Sequence, residues 1–227
     1  MSLVSLVEEA FILALDLIPD SQHNNRARDG DSAVVFVHGY SRVFSGTYDF
    51  RRFHELACRR PLFLFDYDSN DCIERIAEDF RKFLRAHGDR TYFPVGHSLG
   101  GLIVRYFVEF LKDKELVRRA VLVATPNQGT LVAHAGWGES ARQMIPGSDF
   151  LTRLNQAELS IPYLNIFVQG DELVIPNQNA ILPGAFNICI PDKRHLSVLS
   201  DKRLYRLIND FLRHRKLLLN NSTDSSL

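Results

Sequence analysis

A serine framed by glycines is the strongest chemical signal in this sequence. The segment YFPVGHSLGG, residues 92–101, carries an apolar run, then Ser98 between two glycines, then a helical pattern. A serine hydroxyl is a weak nucleophile unless it is held in the open beside a base, and a sharp strand-to-helix turn holds it in that way. Gly96 and Gly100 would leave room for such a turn, and His97 is expected to pack beneath it. The spacing predicts a nucleophile elbow at Ser98.

The residue types that activate such a serine follow it in the chain. G-x-S-x-G alone arises by chance in about one chain of this length in ten to twenty, so the partners matter. Asp171 follows the apolar run YLNIFVQ, and His195 follows the run AFNICI. Serine, acid, histidine is the order expected for a serine on a strand-to-helix elbow. We predict that His195 takes the proton of Ser98 and that Asp171 orients the imidazole and stabilises its cation.

Other carboxylates and histidines remain alternatives for these two roles. Glu172 or Asp192 could supply the acid, since both lie close to the predicted residues in the sequence. His134 precedes the acid and so violates the expected order, and His214 falls in a late helical segment. The sequence favours Asp171 and His195 but leaves these alternatives open.

Hydrolysis through such a serine also needs two N–H groups that face the developing oxyanion. One is predicted to be the backbone N–H of Leu99, at the start of the helix. The other is predicted in the loop after the first apolar run, where VHGY turns sharply and can present the N–H of Tyr40. His38 in the same loop is interpreted as a residue that organises the turn.

Six apolar, β-rich runs alternate with longer segments of helical period, which must position these residues. The runs are Ala33–Val37, Leu62–Asp66, Tyr92–Val95, Ala120–Ala124, Tyr163–Gln169 and Ala185–Ile190. This alternation predicts an α/β fold with a mostly parallel sheet of about six strands and helices on both faces. A crossover helix is predicted behind Asn70 as its N-cap, and a last helix is predicted from near Ser200. The candidate residues then follow strand ends at one edge of the sheet.

Composition and charge exclude several classes of function. The 227 residues carry 27 Lys and Arg against 27 Asp and Glu, so no summed field draws the chain to nucleic acid. Neither H-E-x-x-H nor paired Cys/His spacing occurs, and the glycine-rich phosphate-binding patterns are missing, so we predict no metal and no cofactor. Cys58, Cys72 and Cys189 form no C-x-x-C pair and are expected to be reduced and buried.

The length predicts a single domain over residues 1–227. Residues 1–30 are predicted as an amphipathic helix and lead-in that docks on the core, with peripheral contact to a membrane as the alternative. Residues 220–227 read as a flexible polar tail. The first residues lack a basic start and a cleavage site, and no window has the roughly 18 apolar residues of a membrane span. We therefore expect a cytoplasmic protein without a transmembrane segment.

A short insertion after the fourth run carries apolar side chains close to the predicted site. In the insertion these are Leu131, Val132, Trp137, Met144 and Ile145. Phe44, in the loop after Tyr40, is expected to lie beside them. They could form a wall for an acyl chain, or equally pack as core. Phe44, Trp137 and Met144 are predicted to bind the substrate, a small-molecule or lipid ester.

Taken together, these segments resemble the α/β-hydrolases, and among them the small bacterial lipases and the GPI-inositol-deacylase-like hydrolases. VVFVHGY resembles the first core strand and oxyanion loop, VGHSLGG the elbow, and GDELVIP and RHLSVL the acid and histidine segments. The similarity runs from about residue 33 to about residue 199. It implies a single α/β-hydrolase domain with a minimal cap, with the catalytic and oxyanion residues Ser98, Asp171, His195, Tyr40 and Leu99.

Two features depart from these relatives. Most of them act outside the cell and carry signal peptides, whereas this chain shows none, which argues against a digestive triglyceride lipase. The segment between the fourth and fifth strands is short, so any lid is small.

Three functional hypotheses follow from the sequence. The favoured one is hydrolysis of carboxylic esters through an acyl-enzyme on Ser98. The second uses the same residues for acyl transfer or for cleavage of a thioester or amide. The third is a catalytically silent binding module on the same fold, which a fluorophosphonate probe would distinguish because it would not be labelled.

Overall fold

A parallel sheet of six strands forms the centre of the protein. The computed structural model describes residues 32–40, 50, 60–111, 113 and 115–213. The strands are β1 (Ser32–Val37), β2 (Leu62–Phe65), β3 (Thr91–His97), β4 (Ala120–Val123), β5 (Tyr163–Val168) and β6 (Phe186–Ile190). Their order is β2-β1-β3-β4-β5-β6, and every neighbouring pair is parallel. The predicted runs match the observed strands to within two residues at each end, so the predicted sheet is confirmed.

Helices connect the strands. Within the described residues they are α1 (Ile73–Ala86), α2 (Leu99–Tyr106), α3 (Gly138–Gln143), α4 (Asp149–Gln156) and α5 (Lys202–Arg213). A π-helical turn, Phe107–Leu111, continues α2. The predicted crossover helix is α1, whose buried side chains recur at three- and four-residue spacing. The last helix is α5, which begins two residues after Ser200.

Two hydrophobic clusters cover the two faces of the sheet. Successive strand residues point to opposite faces, so Val34 and Val35 of β1 belong to different clusters. One cluster contains buried residues of α1, α2 and α4, and the other contains Leu204 and Ile208 of α5. The helices therefore lie on both faces, as the sequence predicts for strands that are apolar throughout.

The direction of winding reverses at β1, and this reversal creates the place where a site can form. The chain passes from β1 to β2 on one side and then returns to place β3 on the other side of β1. Val37, the last residue of β1, is paired with Gly96 near the end of β3. The loops that follow β1 and β3 therefore lie together, at the crevice where parallel sheets bind ligands.

The start of α1 differs from the prediction. Asn70 is not its N-cap: the helix begins at Ile73, and Cys72 occupies the cap position without a side-chain hydrogen bond. The Ile73 N–H instead donates to Oε1 of Gln143 at 2.7 Å. The Asn70 side chain donates to Oδ1 of Asp68 at 2.9 Å within the preceding turn. A side chain distant in the sequence thus satisfies the orphan N–H that a local cap was expected to satisfy.

Between β4 and β5 the chain forms a small cap made of a 3-10 turn, Leu131–Ala135, followed by α3 and α4. In the part of the chain that is described, no helix is both long and apolar enough to cross a membrane. Cys72 is half-buried and Cys189 is exposed, so the expectation of a buried thiol is wrong for Cys189, which lies on the edge strand β6. Residues 1–30, residues 220–227 and Cys58 lie outside the described residues.

Gly100→Ala should destabilise the protein by about 3 kcal/mol, although alanine is the better helix former. A Cβ at Gly100 would overlap the backbone carbonyl oxygens of Val37 and His38, which cannot swing aside as a side chain can. Gly170→Ala is the control, because a Cβ there meets nothing within 4 Å. Urea unfolding of both variants measures the difference, and an unchanged midpoint for Gly100→Ala would contradict this packing.

Candidate active site

Ser98 sits on a strained turn between β3 and α2. Its backbone has φ 52° and ψ −122°, a conformation that costs free energy for any residue with a side chain. The surrounding backbone leaves no room for relaxation: a Cβ at Gly96 would lie 2.6 Å from the carbonyl carbon of Gly100. The Ser98 N–H donates to the carbonyl of Val123 in β4 at 2.9 Å. The sharp turn that the glycine spacing predicts is therefore present.

An acid and a histidine meet beyond the ends of β5 and β6. Nδ1 of His195 donates to the Asp171 carboxylate, with 2.9 Å to each of its oxygens, and both side chains are buried. Oδ1 of Asp171 also accepts the backbone N–H groups of Leu173 and Val174, each at 2.9 Å. Burial acts to raise the pKa of Asp171, but His195 and these two N–H groups outweigh it and lower the pKa below its usual value. Asp171 is therefore held as a carboxylate.

A cavity of about 280 Å³ opens beside Ser98. Ser98 and His195 both line it, and the rest of its wall consists of Tyr40, Pro126, Thr130, Val132, Ala133, Ala135, Gly136, Trp137, Ala141, Met144 and Leu173. Trp137 and Met144, predicted to contact substrate, thus lie at the cavity, whereas Phe44 lies outside the described residues. Leu131, which is 54% exposed, and Ile145, which packs on the core, are not part of the wall and do not fit the expected acyl-chain surface.

The two residues predicted to bind the oxyanion lie at this cavity or next to it. Leu99 is the first residue of α2, where a backbone N–H has no acceptor within the helix. The phenol of Tyr40 donates to the Trp137 carbonyl at 2.5 Å and accepts the Trp137 N–H at 2.8 Å. Tyr40 therefore fastens the loop after β1 to the cap.

His38 organises the loop after β1, as the sequence analysis suggests. Its Nδ1 donates to the carbonyl of Gly39 at 2.8 Å, and its ring stacks on Tyr67 at 4.1 Å. The Tyr67 hydroxyl donates to the His38 carbonyl at 2.6 Å. These contacts hold the loop after β1 against the segment that follows β2.

His97 is completely buried beneath the elbow and contacts the histidine of the site. Its Nε2 donates to the backbone carbonyl of His195 at 3.0 Å, and the two rings are 4.8 Å apart. Burial, together with the neighbouring His195, lowers the pKa of His97 from 6.5 to about 3. His97 therefore stays neutral at ordinary pH and supports the segment that carries His195.

The alternative acids and bases occupy other environments. The Glu172 carboxylate lies 3.2 Å from Nε of Arg194 and accepts the backbone N–H of His195 at 3.4 Å, so it does not reach the imidazole. Asp192 is exposed in the turn after β6, His134 is exposed on the 3-10 turn of the cap, and His214 lies outside the described residues. Asp171 is the carboxylate that the fold brings to the imidazole of His195.

Several polar residues near the site were missed by the sequence reasoning. Asn127 and Asn165 both donate to the carbonyl of Ala180, at 2.7 and 2.8 Å, and Asn165 also donates to Oδ1 of Asn187 at 2.7 Å. These amides tie the loop that begins with Asp171 to the sheet. An asparagine inside an apolar strand run, as in YLNIFV and FNICI, is the signal that could have found them, because a buried amide needs partners.

Solved structures from three bacteria resemble this fold. The lipase BlEst2 of Bacillus licheniformis has a TM-score of 0.63 at 16% identity, over 86% of this chain and 96% of the lipase. Carboxylesterase CesB of Bacillus subtilis has a TM-score of 0.54 at 15% identity, over 93% and 98%. Phospholipase PlaB of Legionella pneumophila has a TM-score of 0.50 at 19% identity over 62% of this chain, which spans 40% of that phospholipase. At these identities the likeness shows the fold alone.

Comparison with protein-family models identifies the family of this chain. No curated protein sequence matches this chain. The model of the family described as the alpha/beta hydrolase fold matches residues 33–147, half of the chain, from β1 through α3. That region includes the Ser98 elbow and the loop after β1. The chain therefore belongs to the α/β hydrolase fold family.

Proposed function

We propose that this protein is a serine hydrolase that cleaves carboxylic esters through an acyl-enzyme on Ser98. One observation carries the proposal. Ser98, on a strained elbow, lines the same cavity as His195, and His195 is bonded to the buried carboxylate of Asp171. Membership of the α/β hydrolase fold family supports the same conclusion.

In the first half of the reaction, His195 removes the hydroxyl proton of Ser98 while the serine oxygen attacks the ester carbonyl carbon. The carbonyl oxygen becomes an oxyanion, which the backbone N–H groups of Leu99 and Tyr40 stabilise. The bond to the alcohol then breaks, and the alcohol leaves with the proton from His195. Ser98 remains acylated.

In the second half, water replaces the alcohol. His195 removes a proton from the water, whose oxygen attacks the acyl carbon and forms a second oxyanion. The bond between this carbon and the serine oxygen breaks, and His195 returns the proton to Ser98. Asp171 stays ionised throughout, because its low pKa keeps it a carboxylate beside each imidazolium that forms.

His97 and His195 contact each other, but we assign the proton transfers to His195 alone. His97 is neutral at ordinary pH and already donates to a backbone carbonyl, so it is not available to the serine. The role of His97 is to support the chain at His195.

The cavity favours an uncharged acyl group. No Asp, Glu, Lys or Arg side chain belongs to its described wall, and most of the wall is apolar. Apolar surface lowers the free energy of an acyl chain that leaves water, whereas a charged group would lose its hydration there. We therefore infer a small or lipid ester as substrate. Product analysis would distinguish acyl transfer by the same residues from hydrolysis. The cytoplasmic location stays a prediction from the sequence.

Ser98→Ala should lower kcat for a p-nitrophenyl ester by about 10⁴-fold or more, because the residue that carries the acyl group is lost. The same substitution should abolish labelling by a fluorophosphonate probe. Ser148→Ala is the matched control, since Ser148 caps α4 and does not line the cavity. Full activity in folded Ser98→Ala would end the proposal.

His97→Gln should reduce the loss of stability in acid. The unfolded chain binds a proton at His97 below pH 6.5, but the folded protein does so only near pH 3, so stability falls as the pH falls between these values. At pH 4.5 this effect amounts to about 3 kcal/mol. Glutamine lacks the titration and keeps an N–H donor for the His195 carbonyl.

Urea unfolding at pH 7 and pH 4.5 measures this effect, with the exposed His134→Gln as the control for the change of residue type. An equal loss of stability in wild type and His97→Gln would show that His97 does not cause the acid sensitivity.

A further inference from the structure

The carboxylate of Asp171 lies at the start of a loop that is bonded within itself, where the Asn177 side chain donates to the carbonyls of Asp171 and Val174, and to its surroundings. We call residues 171–180 the acid loop. Its first turn is closed by Asp171 itself, whose Oδ1 accepts the N–H groups of Leu173 and Val174. A turn of this kind fixes the carboxylate only if the backbone at 173–175 is itself fixed.

The hydroxyl of Thr130 makes that connection. It donates to the carbonyl of Leu173 at 2.8 Å and accepts the N–H of Ile175 at 3.0 Å. It also accepts the N–H of Val132 at 3.2 Å, as the N-cap of the 3-10 turn Leu131–Ala135. A hydroxyl has one proton and two lone pairs, so Thr130 uses its whole hydrogen-bonding capacity.

Thr130 therefore holds the acid loop on both sides of Val174. The other side-chain bonds that cross to this loop lie at its start, where Glu172 is paired with Arg194, and near its far end, where Asn179 donates to the carbonyl of Gly129 at 2.9 Å. Among the described residues, Thr130 is the one side chain outside the loop that is bonded to the backbone of 173–175. A backbone bond from Leu131 to Ile175, at 2.8 Å, lies beside it.

The same hydroxyl joins the acid loop to the wall of the cavity. Val132 and Leu173, whose backbone groups it binds, both line the cavity, and Thr130 is itself buried there. One oxygen atom thus contacts both the turn that orients Asp171 and the wall of the cavity. A shift of about 1 Å in such a supporting group can cost about 10²-fold in rate.

We propose that Thr130 is a positioning residue for the proposed ester hydrolysis, acting through the acid loop on Asp171 and His195. The inference rests on the proposed function and adds a residue to it. Thr130 takes no part in proton or acyl transfer. Its hydroxyl holds the turn that aims the carboxylate at Nδ1 of His195.

The test compares three variants on a soluble p-nitrophenyl ester. Thr130→Val keeps the shape but loses the hydroxyl, and kcat should fall by roughly 10- to 100-fold with KM within about twofold of wild type. Thr130→Ser restores the hydroxyl and should return kcat to near the wild-type value. Thr91→Val is the matched control: Thr91 is the first residue of β3, at the end of that strand opposite to Ser98, and kcat should not change.

Several outcomes would overturn the proposal. An unchanged kcat in folded Thr130→Val would show that the loop holds without the hydroxyl. A raised KM with unchanged kcat would show that Thr130 contacts the acyl chain instead. An equal loss of kcat in Thr91→Val, or no recovery in Thr130→Ser, would mean a general effect on packing. If Thr130→Val does not fold, Thr130→Cys, with a weaker donor and acceptor, should give an intermediate kcat, and wild-type kcat there would also refute the proposal.

These outcomes are distinct from a failure of the proposed function. If wild type shows no ester hydrolysis that depends on Ser98, the hydrolase proposal itself fails. If wild type is active and only the Thr130 series departs from expectation, the hydrolase proposal stands and the positioning role falls.

Discussion

At the elbow, the backbone of α2 lies so close to the backbone after β1 that it holds Ser98 in place, and the site is built on this contact. The start of α2 lies against the carbonyl groups that end β1, and Gly101 lies against the side chain of Thr125 with no room for a Cβ. Ser98 is therefore held at a positive φ that it would not adopt in a free chain. Because close-packed backbone cannot relax, the serine stays presented to the cavity.

Buried polar groups also hold the loops in place at the same edge of the sheet. Side-chain amides on and beside β5 converge on the carbonyl of Ala180, and the Thr130 hydroxyl binds the loop nearer to Asp171. Burying such groups costs free energy unless each finds a partner, so a network of this kind specifies one arrangement of the loops. Loops alone would not hold the acid and the histidine at hydrogen-bonding distance.

The charges of the site are arranged around an apolar cavity. Asp171 is ionised, His97 is neutral, and the described wall of the cavity carries no formal charge apart from that which His195 can acquire. In the proposed reaction, the one cation that forms is an imidazolium beside a buried carboxylate. In a medium of low polarity this pairing is stronger than in water, which suits a proton that must move twice in each turnover.

Local periodicity and the spacing of glycines predict the six strands, the crossover helix and the elbow from the sequence alone. It also pointed to Asp171 and His195, since the ends of parallel strands meet at one edge. The packing of the folded chain sets which groups bond to distant partners: Gln143 rather than Asn70 at the start of α1, and Thr130 at the acid loop. Hydrogen bonds between residues far apart in the chain follow from how the loops pack, and no local pattern encodes them.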